Sequence, residues 1–185
     1  MALQTGGAHV IQIELAQYVE SSAKATKGIE FSGKTQSGEK VKYLTVYYQK
    51  ANEEMIPSGQ SCINALMGLI GLPSLSFSQV NIGTEQVYHV PEFKDKVVGL
   101  FLQKRLTSKQ DGTDSYGFDI VCPFDPKTKA TLKEKVENKQ PQTIARMIDS
   151  YKDKDERSKQ QSGRQQGGHS QHQQPQDQFD DIDFA

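Results

Sequence analysis

The stretch Val41-Lys42-Tyr43-Leu44-Thr45-Val46-Tyr47-Tyr48-Gln49-Lys50 constrains this chain more than any other. It is dense in β-branched and aromatic residues and holds no Gly or Pro, so it reads as a strand. Side chains alternate across a strand. One face then carries Leu44, Val46 and Tyr48 towards a core, and the other carries Tyr43, Thr45 and Tyr47. Two large rings on the non-core face, with Lys42 and Lys50 near the strand ends, suit stacking on unpaired bases beside a charged backbone. The plainer alternative packs both rings beneath a neighbouring loop.

Other strands fall around this one. His9–Val19 alternates, with Ile11, Ile13 and Leu15 on one face. Ser21–Gly28 reads as an electropositive loop holding Lys24 and Lys27. Ile29–Lys34 is a second short strand with Ile29 and Phe31 inward, and Ser37-Gly38 punctuates the turn into the third. Three sequential strands with short connections imply an antiparallel meander. Met1–Gly7 has no periodicity and is expected to be a loose lead-in.

Ser61–Leu72 reads as a helix, because Cys62, Ala65, Leu66, Leu69 and Ile70 recur at helical spacing. Ser58 or Ser61 is the expected cap, and Gly71 and Pro73 end it. Leu75–Pro91 is ambiguous; Gln86–Val90 fits a short strand or an insertion. Lys96–Lys109 is a strand with Val98, Leu100 and Leu102 on one face and Val97, Phe101, Gln103 and Arg105 on the other. Gln110-Asp111-Gly112 supplies a hairpin turn. Ser115–Pro123 pairs back, with Phe118 and Ile120 inward and Tyr116 near an end.

The expected fold is therefore mainly β: a five-stranded barrel with a helix between strands three and four. That is the order of an oligonucleotide/oligosaccharide-binding barrel. A different small barrel or an α+β sandwich gives the same string. Thr128–Asn138 and Gln142–Asp155 read as two charged helices. Ile144, Met147, Ile148 and Tyr151 form a narrow stripe on the second, expected to cap the barrel or to meet a partner.

From Arg157 to Gln176 the chain is Gln, Ser, Gly and His with almost nothing apolar. It buries too little surface to offset an ordering entropy of roughly 1–2 kcal/mol per residue and is expected to be disordered. All 22 Lys and Arg lie in residues 1–176 against 19 of the 23 acids, a net +3. Asp177, Asp180, Asp181 and Asp183 give residues 177–185 a net −4. These aspartates alternate with Phe179, Ile182 and Phe184, a pattern that can seat an aromatic in an apolar pocket while carboxylates meet Arg or Lys at its rim. The expected organisation is 1–127 barrel, 128–156 helical extension, 157–176 linker and 177–185 partner-binding tail.

No phosphate-cradling glycine motif occurs, Cys and His lack metal-ligand spacing, and the four histidines suggest no dyad or triad. The chain is read as non-enzymatic, without cofactor or metal. Cys62 and Cys122 suggest no disulfide framework, so a reducing cytoplasm is expected. No apolar run is long enough to span a bilayer.

The Lys42–Lys50 strand, Ser61-Cys62-Ile63-Asn64-Ala65-Leu66-Met67-Gly68, Gly99-Leu100-Phe101-Leu102-Gln103-Lys104, Cys122-Pro123-Phe124-Asp125 and the tail together resemble single-stranded DNA-binding proteins of tailed bacteriophages. The resemblance implies an oligonucleotide-binding barrel and sequence-tolerant binding of single-stranded DNA in a bacterial host's cytoplasm. It also implies contact with replication and recombination proteins through the tail, at Asp180, Asp181, Ile182, Asp183 and Phe184. A Pro-Phe end is typical of bacterial relatives, whereas this sequence ends Asp183-Phe184-Ala185. With that implication, Tyr43, Tyr47 and Phe101 are the expected stacking rings, and Lys42, Lys50, Lys104 and Arg105 the phosphate contacts, with Tyr116 as an accessory. Duplex DNA and self-association stay open. The competing reading is a protein-interaction adaptor built on the same barrel.

Overall fold

The computed structural model describes residues 1–82, 85–109 and 111–157. Three strands, β1 (Gly7–Glu20), β2 (Lys27–Thr35) and β3 (Lys40–Gln49), form the expected antiparallel meander. Gly38, at a φ of 82°, makes the turn between β2 and β3. The inward rows Ile11/Ile13, Ile29/Phe31 and Leu44/Val46 are buried, as the alternation predicts. In β1 the parity is broken. Ile13 pairs with Gly33 and Leu15 with Ser32, which leaves Glu14 as an extra residue, a β-bulge. Past it the faces exchange: Ala16 is buried, and Leu15, expected inward, is only half-buried. Gly33 permits the close approach, since a Cβ there would sit 2.2 Å from the Gln12 carbonyl oxygen.

The first half of β1 pairs on its other side with β6 (Val97–Ser108), which pairs with β7 (Asp114–Phe124). Asp111 and Gly112 lie in the turn between them, Gly112 at a φ of 85°; Gln110 lies outside the described residues. The strand path is β3-β2-β1-β6-β7. Among the described residues no ladder joins β3 to β7, so the sheet is open and largely antiparallel. Between β3 and β6 run α1 (Pro57–Ile70) and a hairpin of β4 (Ser78–Ile82) and β5 (Glu85–His89), which resolves the ambiguous stretch.

The helix begins four residues before its expected start. Pro57 occupies its first position, where a missing N–H costs nothing, and Ile56 caps it without a side-chain bond. Gly71, left-handed at a φ of 72°, ends it as expected. Its buried face is Ile63, Ala65 and Leu66, with Leu69 only half-buried. The N-terminus is also not loose. Ala2 bridges to Lys40, Leu3 N donates to Lys40 O and Lys40 N to Met1 O, both at 2.9 Å, and Leu3 is buried in the core. The unpaired edge of β3 needs hydrogen-bond partners, and the first residues supply them.

The C-terminal extension is shorter in helix than expected: α2 (Leu132–Val136) and α3 (Thr143–Asp149), then a two-residue β8 (Lys154–Asp155) parallel to β6. Ile144, Met147 and Tyr151 do cover the sheet, joining Phe101, Cys122 and Phe124 in a second apolar cluster, while Ile148 stays exposed. Residues 158–185, and with them nearly all the expected linker and the whole expected tail, lie outside the described residues. Among the described residues no helix is long and apolar enough to cross a membrane.

Glu134 ties this extension together. One carboxylate oxygen accepts from Thr131 N (2.8 Å) and Thr131 Oγ1 (3.0 Å), and the other from Gln142 N (2.9 Å), Thr143 N (2.9 Å) and Thr143 Oγ1 (2.8 Å). It thus closes the capping box of α2 and holds the start of α3. Burial pushes its pKa up, but the backbone N–H groups of Thr131, Thr143 and Gln142 outweigh this and hold it at about 2, below the usual 4.5. A depressed carboxylate stabilises the fold above its unfolded pKa and loses that contribution as the pH falls through the folded value. Glu134→Ala strands buried donors and is predicted to cost about 1–3 kcal/mol at pH 7. In urea unfolding the gap between variant and parent should shrink as the pH falls from about 4.5 towards 2; an undiminished gap at the acid end would contradict this role.

Candidate nucleic-acid interface

The outward row of β3 is where the sequence expects it. Tyr43 is 73% exposed and Tyr47 40% exposed, with Thr45 between them. Phe31 pairs with Leu44 but Gly33 with Val41, so β3 carries a bulge of its own. The bulge turns Lys42 and Tyr43 outward in succession, and Lys42 therefore joins the outer surface instead of following strict alternation inward. Tyr43 takes a left-handed φ of 61°. For a bulky side chain this is a costly conformation, and such strain concentrates where function demands it. The Tyr43 ring is largely exposed. The Tyr47 ring lies on β2 instead, over Gly28, where a Cβ would come within 3.0 Å of Tyr47 Cδ1.

Between β3 and β7, where the sheet fails to close, lies a groove of about 730 Å³. Lys42, Tyr43, Arg105 and Tyr116, four of the expected site residues, line it, together with Met1–Leu3, which the sequence reading missed. Tyr116 is fixed there by donating its hydroxyl to Leu3 O at 3.1 Å and by an edge contact with Phe118. Lys104 reaches over the Tyr116 ring, 5.0 Å from its centroid, and lies 3.8 Å from Asp153.

Several expected cations already face carboxylates. Arg105 Nε lies 2.5 Å from Asp119 Oδ2, in ion contact without the alignment of a hydrogen bond, and Arg105 Nη1 is 3.7 Å from Glu156. Lys50 pairs with Glu54 at 3.0 Å, at the far end of β3 from the groove, and its hydrogen bond to the Glu54 carboxylate lowers that group's pKa. These exposed pairs are weak, and a phosphate can replace the carboxylate.

Phe101 does not belong with the other expected rings. It is 3% exposed, packed against Tyr151 at 5.8 Å beneath α3, and offers no face to a base. Alternation correctly placed it opposite the main core, but α3 covers that side of β6.

The outer face also carries polar residues beside the tyrosines. Glu30 stands directly between Gln17 and Thr45 in register, accepting from Gln17 Nε2 at 3.2 Å and Thr45 Oγ1 at 3.4 Å. The inward assignment of Ile29 and Phe31 was signal enough to place Glu30 here. A further aromatic group, Tyr18, Phe77 and Tyr88, stands in edge contact beside the β4–β5 hairpin, with Phe77 and Tyr88 exposed. Among the described residues no three of His, Cys, Asp and Glu converge as a metal-ligand set. Asp180, Asp181, Ile182, Asp183 and Phe184 lie outside the described residues.

No protein-family model matches the chain, and no curated protein matches it. The strain at Tyr43 is open to a direct check. Asn tolerates the left-handed region far better than Tyr. Because the Tyr43 ring is exposed, Tyr43→Asn is predicted to raise unfolding stability by about 1 kcal/mol in urea titration. A stability loss would show instead that the ring contributes to packing.

Proposed function

We propose that this is a non-enzymatic single-stranded DNA-binding protein that holds its ligand by base stacking and phosphate contact, without a defined sequence. The observation that carries the reading is Tyr43: a largely exposed ring on a strained backbone, in the same outward row as Tyr47 and at the lip of a groove rimmed by Lys42 and Arg105. Stacking on each ring contributes on the order of 1–3 kcal/mol and serves any base, since every base has a π-face. Lys42, Lys104 and Arg105 add a salt-dependent term that is indifferent to sequence, with Lys50 at the other end of the row. Tyr116 forms the opposite wall.

In this reading the strand path β3-β2-β1-β6-β7 is a five-stranded oligonucleotide-binding barrel whose unclosed seam is the groove. On the resemblance to tailed-phage proteins, the role proposed for the chain is in DNA replication and recombination. The acidic segment 177–185 recruits partner proteins and competes with DNA for the basic surface. The adaptor alternative draws on the exposed Phe77 and Tyr88, which would suit a protein partner.

Fluorescence anisotropy with labelled oligo-dT across a salt series tests the proposal. Binding should weaken as salt rises, and Tyr43→Ala/Tyr47→Ala should weaken it by at least about 2 kcal/mol. Removing residues 177–185 should tighten binding at low salt. Absence of oligo-dT binding in the micromolar range would overturn the proposal in favour of the adaptor.

A further inference from the structure

A strand that stacked bases on Tyr43 and Tyr47 would not cross a chemically blank surface. The outward side chains form three rows by register. Tyr47 lies over Gly28; Thr45, Glu30 and Gln17 form the middle row; Tyr43 lies beside Ser32, at the bulge. Rows two residues apart along a strand are separated by roughly 6.6–6.8 Å. Glu30 therefore lies one strand over from β3, in the row between those of Tyr43 and Tyr47, beside the path of a base stacked on the Tyr47 ring over β2.

Its hydrogen bonding is unfinished. An ionised carboxylate offers about four lone-pair positions. Gln17 Nε2 occupies one on Oε1 and Thr45 Oγ1 one on Oε2, both at long distances. Each oxygen keeps acceptor capacity, and the pair is held in orientation by a neighbour on either side. A planar, two-oxygen acceptor matches two parallel N–H donors. Among the four bases only guanine presents two such donors side by side on its Watson–Crick edge, at N1 and N2. Cytosine and adenine set one donor beside a ring acceptor. Thymine sets one N–H between two carbonyl oxygens that a carboxylate repels.

We propose that Glu30 is a base-selecting residue: it gives an otherwise sequence-tolerant stacking surface a preference for guanine and a penalty for thymine. This rests on the single-strand-binding reading above and deepens it. Gln17 and Thr45 are positioning residues that fix the carboxylate.

The test uses the full chain and dT oligomers carrying isolated dG, deoxyinosine or dA at every third position, a spacing chosen to avoid guanine self-association. The dG oligomer should bind about tenfold tighter than dT, the size expected of one good bidentate base contact. Deoxyinosine, which lacks the N2 amino group, should fall between them. Glu30→Gln keeps the shape but replaces one acceptor with a donor, and should abolish the dG advantage while leaving dT binding equal or tighter. Glu30→Asp keeps the charge but withdraws it from the bases, and should lose the same advantage; a thermal melt confirms that both variants fold. Intact dT binding with no dG preference, or a preference that survives both substitutions, would overturn the assignment and leave the stacking proposal standing. No binding to any oligomer would overturn both.

Discussion

The structure depends on β1 being hydrogen-bonded on both sides while it changes partners along its length. Its first half pairs with β6 and most of its length with β2, and the bulge at Glu14 falls just past the residues, Ile11 and Gln12, where the two overlap. A bulge bends its strand and increases the local twist. Gly33 lets the two backbones approach there, since any side chain would strike the Gln12 carbonyl. With β1 as the spine, β2–β3 and β6–β7 fold towards one another around Leu44, Leu66, Phe93 and Leu100. Their far edges meet without pairing, and the groove between β3 and β7 is the consequence.

An open seam leaves two edge strands, and edges must be managed. Met1–Leu3 pairs with the start of β3, one of those edges, while β8 covers the part of β6 that β1 leaves unpaired. The burial of Leu3 and the Tyr116 hydroxyl bond bind the seam to the core. The groove is therefore a built feature with fixed walls. The surface beside it is different in character: Tyr43 takes a left-handed backbone at the β3 bulge and leaves most of its ring exposed.

Much of this was legible. Alternation over Val41–Lys50 gave the inner row and both exposed tyrosines, and Gly38, Gly71 and Asp111-Gly112 marked turns and a helix end from their backbone freedom alone. What failed did so for identifiable reasons. A bulge shifts parity by one residue, and no local signal announced those at Glu14 and Tyr43, so Leu15 was placed inward and Lys42 was not placed outward by pattern. The ordering of Met1–Leu3 and the burial of Phe101 depend on segments distant in sequence, the β3 edge and α3, whose positions a periodic pattern does not carry. The early start of α1 at Pro57 was hidden because its first turn, Pro57-Ser58-Gly59-Gln60, reads as a loop by composition.

The central claim is that an outward strand face, and not the aromatic group beside the β4–β5 hairpin, meets the nucleic acid. Photocrosslinking with an oligo-dT containing 5-iodo-deoxyuridine, followed by mass-spectrometric mapping of the adducts, tests it most directly. The account predicts adducts at Tyr43 and Tyr47, with Tyr116 as a lesser site. Adducts confined to Tyr18, Phe77 and Tyr88 would contradict it.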